Sequence, residues 1–239
     1  MMMPRLPYRI SPGAPYLCCY AMSMMNEANF LHLVGRLALE YHITLPSHLL
    51  TAAAGRKISY YCSRLCACFC LNTLQLPYEC MDFFGFTNRQ PIWPPGHVGS
   101  FSHSKAIAVA AVASTRDYCS VGIDREEFIQ LDNTQNYLSL LCLENEITCI
   151  SESFNTLNSA TTIIIFSLKE AVYKALYPIV GRCTLQDITL SNIVYRRTSC
   201  SATLGGAFAV LNKKYAITIN AAISATGVYS CCTFKAHAT

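Results

Sequence analysis

Charge is scarce in this sequence. Asp, Glu, Lys and Arg make up 13% of its 239 residues, about half the roughly 25% usual in soluble domains. Wherever charges do cluster, the cluster therefore carries more meaning. The formal net charge of +4 is not gathered into a tail, which gives no ground for bulk nucleic-acid binding but suits a ligand bearing phosphates or carboxylates. Long apolar runs are missing too. Hydrophobic residues make up 52% of the chain, yet no run reaches the roughly 18 to 20 residues of a spanning helix. The best candidates, Ala106 to Ala113, Ile163 to Ile165 and Tyr215 to Tyr229 (itself broken by Thr, Asn and Ser), read as buried strands or core helix. Arg5 and Arg9 precede an apolar patch at Tyr16 to Met25, but Pro4, Pro7, Pro12 and Pro15 interrupt any signal-peptide pattern. A soluble, cytoplasmic protein without a transmembrane segment is expected.

Two motif classes are absent as well. The chain has 14 cysteines, four of them crowded at Cys62, Cys66, Cys68 and Cys70, but no CxxC pair and no histidines at finger spacing. These thiols read as reduced, small buried hydrophobes. No GxxxxGK[ST] loop and no kinase-type glycine loop occurs, which argues against the common nucleotide-dependent transferases. No repeat or low-complexity tract stands out.

What is present reads as one compact α+β unit, with a division near residue 118. Residues 1 to 45 show little beyond an apolar-polar alternation. Leu45 to Leu71 predicts one long helix or two, opening at Pro46 and Ser47. Pro91, Pro94, Pro95 and Gly96 mark 85–99 as loop. Ala106 to Ser114 and Tyr118 to Asp124 read as strands, and Tyr137 to Asn155 as helix and loop. Ala160 to Leu176 is a clear helix, stopped by Pro178 and Gly181. Asp187 to Tyr195, AFAVLN (Ala207 to Asn212) and KKYAITINAAI (Lys213 to Ile223) predict antiparallel strands.

Four groups of residues carry candidate chemistry. Asp124 and Glu126, two apart on a strand end, project from one face; two such carboxylates repel unless a cation or proton intervenes, and their all-oxygen chemistry suits Mg²⁺. Taken alone, DxE also describes a solvated strand end. Glu170 and Lys174 stand four apart on a mostly apolar helix, beside Lys169, and could add a third carboxylate and two phosphate cations. The alternative is a surface ion pair. Gly99 to Ser104 (GSFSHS) could offer backbone N–H groups, the Ser102 hydroxyl and His103 to phosphate from a tight loop. Arg56, Lys57 and Arg64, with Arg89, form a basic set suited to phosphate oxygens, or an ordinary solvated helix face.

In chain order, GRKISYYCSRLCA, NRQPIWPPGHVGSFSHS, GIDREE and FSLKEAVYKAL resemble the 4′-phosphopantetheinyl transferase superfamily, in its enterobactin-synthetase component D branch, related to the surfactin-type enzymes. The resemblance covers residues 45–178. It rests on the W-P-x-G-x-x-G-S-x-S-H run of residues 93–103 and the ordered pair G-I-D-x-E and K-E-x-x-x-K. Three positions depart from the family pattern: Arg125 stands where an aliphatic residue is usual, Ser63 where Gly is common, and Phe166 where Trp is frequent.

The resemblance implies an α+β pseudo-dimer of two similar halves. One spans 1–118, with the coenzyme A phosphate-binding helix and GSFSH loop; the other spans 119–239, with the metal motifs. It implies an Mg²⁺-dependent enzyme that moves the phosphopantetheine arm of coenzyme A to a serine of an apo acyl, peptidyl or aryl carrier protein. Asp124, Glu126 and Glu170 would bind the metal, with Asp124 also at the cofactor. Glu170 would be the general base and Lys174 would meet the pyrophosphate, with Lys169 as a second candidate. Arg56, Lys57, Arg64, Arg89, Ser102 and His103 would hold the coenzyme A phosphates. A monomer is implied, serving siderophore, other nonribosomal peptide, polyketide or fatty-acid synthesis. Two rivals remain: another Mg²⁺-dependent phosphoryl or nucleotidyl transferase, and an inactive carrier-binding module of the same fold.

Overall fold

The computed structural model describes residues 8–10, 17–25, 28–75, 86–87 and 90–237. Arg89, one of the expected phosphate ligands, lies outside them. The chain divides into two compact units, with the main boundary between Ser114 and Thr115.

The first unit is an antiparallel sheet of β1 (Tyr8–Ile10), β2 (Leu17–Ser23), β5 (His97–His103) and β6 (Ile107–Ser114), in the order β1-β2-β6-β5. Helix α1 (Ala28–Glu40) precedes α2 (Ala54–Thr73), and a short β3 (Phe86–Thr87) pairs with β4 (Gln90–Pro91). The apolar patch at Tyr16 to Met25 is largely β2. The buried stripe of α2, including Ile58, Cys62, Leu65, Cys66 and Cys70, forms one core with Cys18, Met22, Ala108, Ala110 and Val112 of β2 and β6. The crowded cysteines thus behave as core residues, and burial pushes the Cys62 and Cys68 thiols up to about 12.

Helix α2 starts later than the sequence suggests. Ser47–Leu49 forms a separate 3₁₀ turn, and Ala53, in an extended conformation (ψ 150°), precedes the first helical residue. A larger difference concerns the expected phosphate loop. Residues 99–103 are not a tight loop but most of strand β5, paired with β6 through Gly99↔Val112 and Ser102↔Val109.

The second unit is a five-stranded antiparallel sheet ordered β7-β11-β10-β9-β8. Its strands are β7 (Ser120–Glu127), β8 (Thr189–Arg196), β9 (Ser199–Gly205), β10 (Tyr215–Ile223) and β11 (Gly227–Ala236). Three helices accompany it: α3 (Thr134–Leu141), α4 (Glu144–Phe154) and α5 (Ser159–Val180). Asn158 caps α5, its side chain accepting from Thr161 N–H at 3.0 Å. Ile163, Ile164, Leu168, Ala171, Val172 and Ala175 are buried in the core that α5 shares with the sheet. A helix apolar on nearly every side has to be covered on nearly every side.

The expected stop at Pro178 is overridden. Proline sits inside the last turn of α5, and the helix ends at Gly181, whose φ of +79° only glycine adopts freely. The AFAVLN segment also differs: Gly206–Lys213 is a 3₁₀ helix rather than a strand. Gly206, at φ +58°, turns the chain out of β9, and the Asn212 side chain donates back to the Leu204 carbonyl at 2.7 Å. The observed class, helices with two main antiparallel sheets and a short two-stranded one, is the expected α+β, and each half has a long helix against its main sheet.

Candidate functional site

The carboxylate cluster is built by one close approach. An ideal Cβ at Gly122 would overlap the Ala171 carbonyl oxygen and lie 2.7 Å from the Ala175 amide nitrogen, so α5 rests directly on the backbone of β7. Strand alternation sends Ser120, Gly122, Asp124 and Glu126 to the same face. Ser120 marks that face by donating to the Ala175 carbonyl at 2.7 Å. Two residues past the contact, Asp124 is 2% exposed and accepts from Lys174 Nζ at 2.7 Å through Oδ1. Lys174 also donates to the Ile123 carbonyl at 3.2 Å.

Glu126 and Glu170 are half-buried around this pair. Burial and then the charge of Asp124 push the Glu126 carboxyl up to about 7, with Lys174 acting in the opposite sense and Glu170 adding to the rise. Burial likewise raises Glu170, with Lys174 opposing and Asp124 reinforcing. Three carboxylates thus share one nearby ammonium. Among the described residues, no group of three or more His, Cys, Asp or Glu side chains is drawn together tightly enough to hold a metal as it stands. The donor chemistry nonetheless fits Mg²⁺, which takes few carboxylates and keeps water and phosphate oxygens. Mutual repulsion that raises carboxylate pKa values is what a divalent cation relieves. Ser230, opposite Asp124 in the ladder and fully buried, adds a hydroxyl with no hydrogen-bond partner among the described residues.

Arg125 does not intrude on this face. It lies opposite Tyr229 on the other side of β7, its guanidinium 4.6 Å from that ring centre. It donates to the carbonyls of Glu126 and Val228.

Lys169 has to be removed from the phosphate-binding set. Its side chain is fully buried, and its ammonium donates to Glu146 Oε2 and the Ile188 carbonyl at 2.6 Å each, and to the carbonyls of Leu141 at 2.7 Å and Leu185 at 3.2 Å. An ammonium has three protons, so its donor capacity is spent inside the core. Nothing in the sequence sets its partner Glu146 apart from the other scattered acids of α4.

In the first unit, the basic residues of α2 separate. Arg56 is exposed and Lys57 half-buried, whereas Arg64 is 4% exposed. The Arg64 guanidinium sits 4.0 Å from the Tyr60 ring centre and 4.5 Å from that of Phe101, and donates to Ser63 Oγ at 3.0 Å. Burial lowers its pKa to about 10, so it remains a cation at neutral pH. Phe101 is held in turn by Trp93, stacked at 4.8 Å, and Trp93 passes so close to Gly99 that a Cβ there would lie 2.7 Å from its ring. Ser102 and His103 are neighbours on β5 and therefore face opposite ways: Ser102 is buried and His103 exposed. The two cannot act as a pair on one phosphate from a single face of the strand.

Two family models match this sequence. One, described as the 4′-phosphopantetheinyl transferase N-terminal domain, matches residues 45–113; the other, the 4′-phosphopantetheinyl transferase superfamily, matches residues 120–220. Between them they take in more than half of the chain. Among curated proteins the chain is similar to enterobactin synthase component D of Salmonella typhi, 30% identical over 151 residues, 61% of either chain. It is 31% identical over 136 residues to the 4′-phosphopantetheinyl transferase Svp of Streptomyces mobaraensis, covering 56% of this chain and 54% of that one. To the transferase Npt of Nocardia iowensis it is 37% identical over 94 residues, 38% and 40% of the two chains. The chain thus spans at most 61% of the length of these relatives.

Proposed function

The chain belongs to the 4′-phosphopantetheinyl transferase superfamily, and from that premise we propose that it transfers the phosphopantetheine arm of coenzyme A to a serine of an apo carrier protein. The observation that carries this reading is the carboxylate cluster at the contact of β7 and α5: Asp124, Glu126 and Glu170 around Lys174, two of them with raised pKa values. Asp124, Glu126 and Glu170 would hold Mg²⁺, whose charge would offset the negative charge that builds on the phosphoryl oxygens.

The remaining work falls to side chains. Glu170, whose carboxyl burial raises above the ordinary carboxylate value, is a better proton acceptor than an exposed Glu. It takes the serine hydroxyl proton, directly or through water, as the serine oxygen forms its bond to the phosphorus that carries the arm. The bond from that phosphorus to adenosine 3′,5′-bisphosphate breaks, and the Lys174 ammonium stabilises the departing phosphate oxygen. Arg64, pre-stacked between Tyr60 and Phe101, with the more accessible Arg56 and Lys57, would hold coenzyme A phosphates; Arg89, Ser102 and His103 complete the proposed set. Asp124 would also serve the cofactor through the metal.

The chain would act as a cytoplasmic monomer. Among the described residues no helix is long and apolar enough to cross a membrane. Similarity to enterobactin synthase components favours carriers of siderophore assembly. The test is a panel of apo carriers from siderophore, other nonribosomal peptide, polyketide and fatty-acid synthesis, each incubated with coenzyme A and Mg²⁺ and weighed by mass spectrometry. A gain of one phosphopantetheine arm supports the transferase. Carrier binding without any gain in mass would instead identify an inactive binding module.

A further inference from the structure

We infer that the buried Lys169–Glu146 pair is a positioning device that fixes the rotation of α5 and thereby presents Glu170 to the carboxylate cluster; this rests on the transferase reading. Lys169, Glu170 and Ala171 are consecutive on a helix that turns about 100° per residue. Ala171 is pinned on one side, its carbonyl against Gly122 of β7. Lys169 is pinned on the other, by four acceptors contributed from three places: the last residue of α3, Leu141; Glu146 in the first turn of α4; and Leu185 and Ile188 ahead of β8. Glu170 lies between these two anchors, one residue from each.

Neither half of the pair is idle. Glu146 uses both oxygens, Oε2 for Lys169 at 2.6 Å and Oε1 for the Leu190 N–H at 2.7 Å. Lys169 therefore joins α5 to the ends of α3 and α4, and Glu146 joins the same knot to the start of β8. An apolar side chain at position 169 would bury as well but would have no preferred direction. A fixed ammonium with directed acceptors gives the helix a defined azimuth, which a general base needs if it is to meet a hydroxyl within hydrogen-bond reach. The ion pair as such is not required for generic stability, since well-packed apolar replacements of buried ion pairs are commonly as stable; what they lack is the directed contact to the Leu141, Leu185 and Ile188 carbonyls and the Leu190 N–H.

The experiment uses the full chain as wild type, the double variant Lys169→Met/Glu146→Leu and the isosteric single variant Glu146→Gln. Each is assayed well below its melting temperature for kcat and for KM of coenzyme A, and for amide hydrogen exchange along α5. The expected result is a folded double variant whose kcat falls on the order of 10- to 100-fold, with KM for coenzyme A within about twofold, and with faster exchange at residues 168–174. Glu146→Gln, which keeps the shape and removes the charge, should show a loss of kcat with the same split; if neither variant folds, Glu146→Asp, which keeps the charge and withdraws it by one methylene, carries the test. Wild-type kcat in any of these folded variants overturns the proposal. If the wild type transfers nothing to any carrier, the functional reading fails by itself; hydrogen exchange then decides the lock, and unchanged protection at residues 168–174 overturns it.

Discussion

Gly122 and Ala171 meet backbone to backbone, with no room for even a methyl group between strand β7 and helix α5. Asp124 and Lys174 are brought within 2.7 Å by that contact. Gly122→Ala should push the helix off the strand, at a cost of about 3 kcal/mol or more, the upper end for overpacking because the obstacle is backbone. Urea unfolding measures this. A variant as stable as wild type, with transfer intact, would mean that the contact is not what sets the site.

The Glu126 carboxyl gives a pH dependence whose sign is fixed. Its folded-state pKa, about 7, lies above the ordinary 4.5. Between those values the folded state binds more protons than the unfolded one, so stability falls as pH rises. The contribution is fully present below about pH 4.5 and lost as pH passes about 7. Glu126→Gln should flatten this slope and raise the melting temperature at pH 8 relative to wild type, and Mg²⁺ should raise the wild-type melting temperature more at pH 8 than at pH 5. Identical slopes in the two proteins would contradict the assignment.

Removing one member of the Lys169–Glu146 pair strands a charge in the core. Lys169→Met should cost about 3–5 kcal/mol, and adding Glu146→Leu should restore only part of that loss, because the Leu141, Leu185 and Ile188 carbonyls and the Leu190 N–H lose these partners. Denaturant titrations of the three proteins read it directly. A single variant no less stable than wild type would show that the pair is not buried as described.

Arg64 combines packing with charge. Arg64→Lys keeps the cation but loses the planar group between Tyr60 and Phe101, and should cost about 1 kcal/mol in stability. It should also raise KM for coenzyme A. If Arg64 meets the 3′-phosphate, the increase should shrink with 3′-dephospho-coenzyme A; an equal increase would place its role elsewhere.

Much of the second half is legible in the sequence, because its signals are local. Alternation places Asp124 and Glu126 on one face of a strand, and spacing places Glu170 and Lys174 on one side of a helix. What stays hidden depends on tertiary context. Lys169 looks like another phosphate cation until Glu146 and three carbonyls are seen to surround it. Residues 99–103 look like a glycine-serine loop, but β6 offers them a ladder, and Gly99 is small to admit Trp93 rather than to cradle a phosphate. Arg64 and Arg56 read alike, and only burial separates them. Arg125 looks like a cation set beside a metal, but the alternation that aligns the two carboxylates turns it away toward Tyr229.

The central claim is Mg²⁺-dependent transfer with Glu170 as the base. The most direct measurement is the mass of an apo carrier after incubation with coenzyme A and wild-type or Glu170→Gln protein, with Mg²⁺ and with chelator. Wild type with Mg²⁺ should add one phosphopantetheine arm, and neither chelator-treated wild type nor a folded Glu170→Gln protein should add any. Unchanged turnover by Glu170→Gln would contradict the claim.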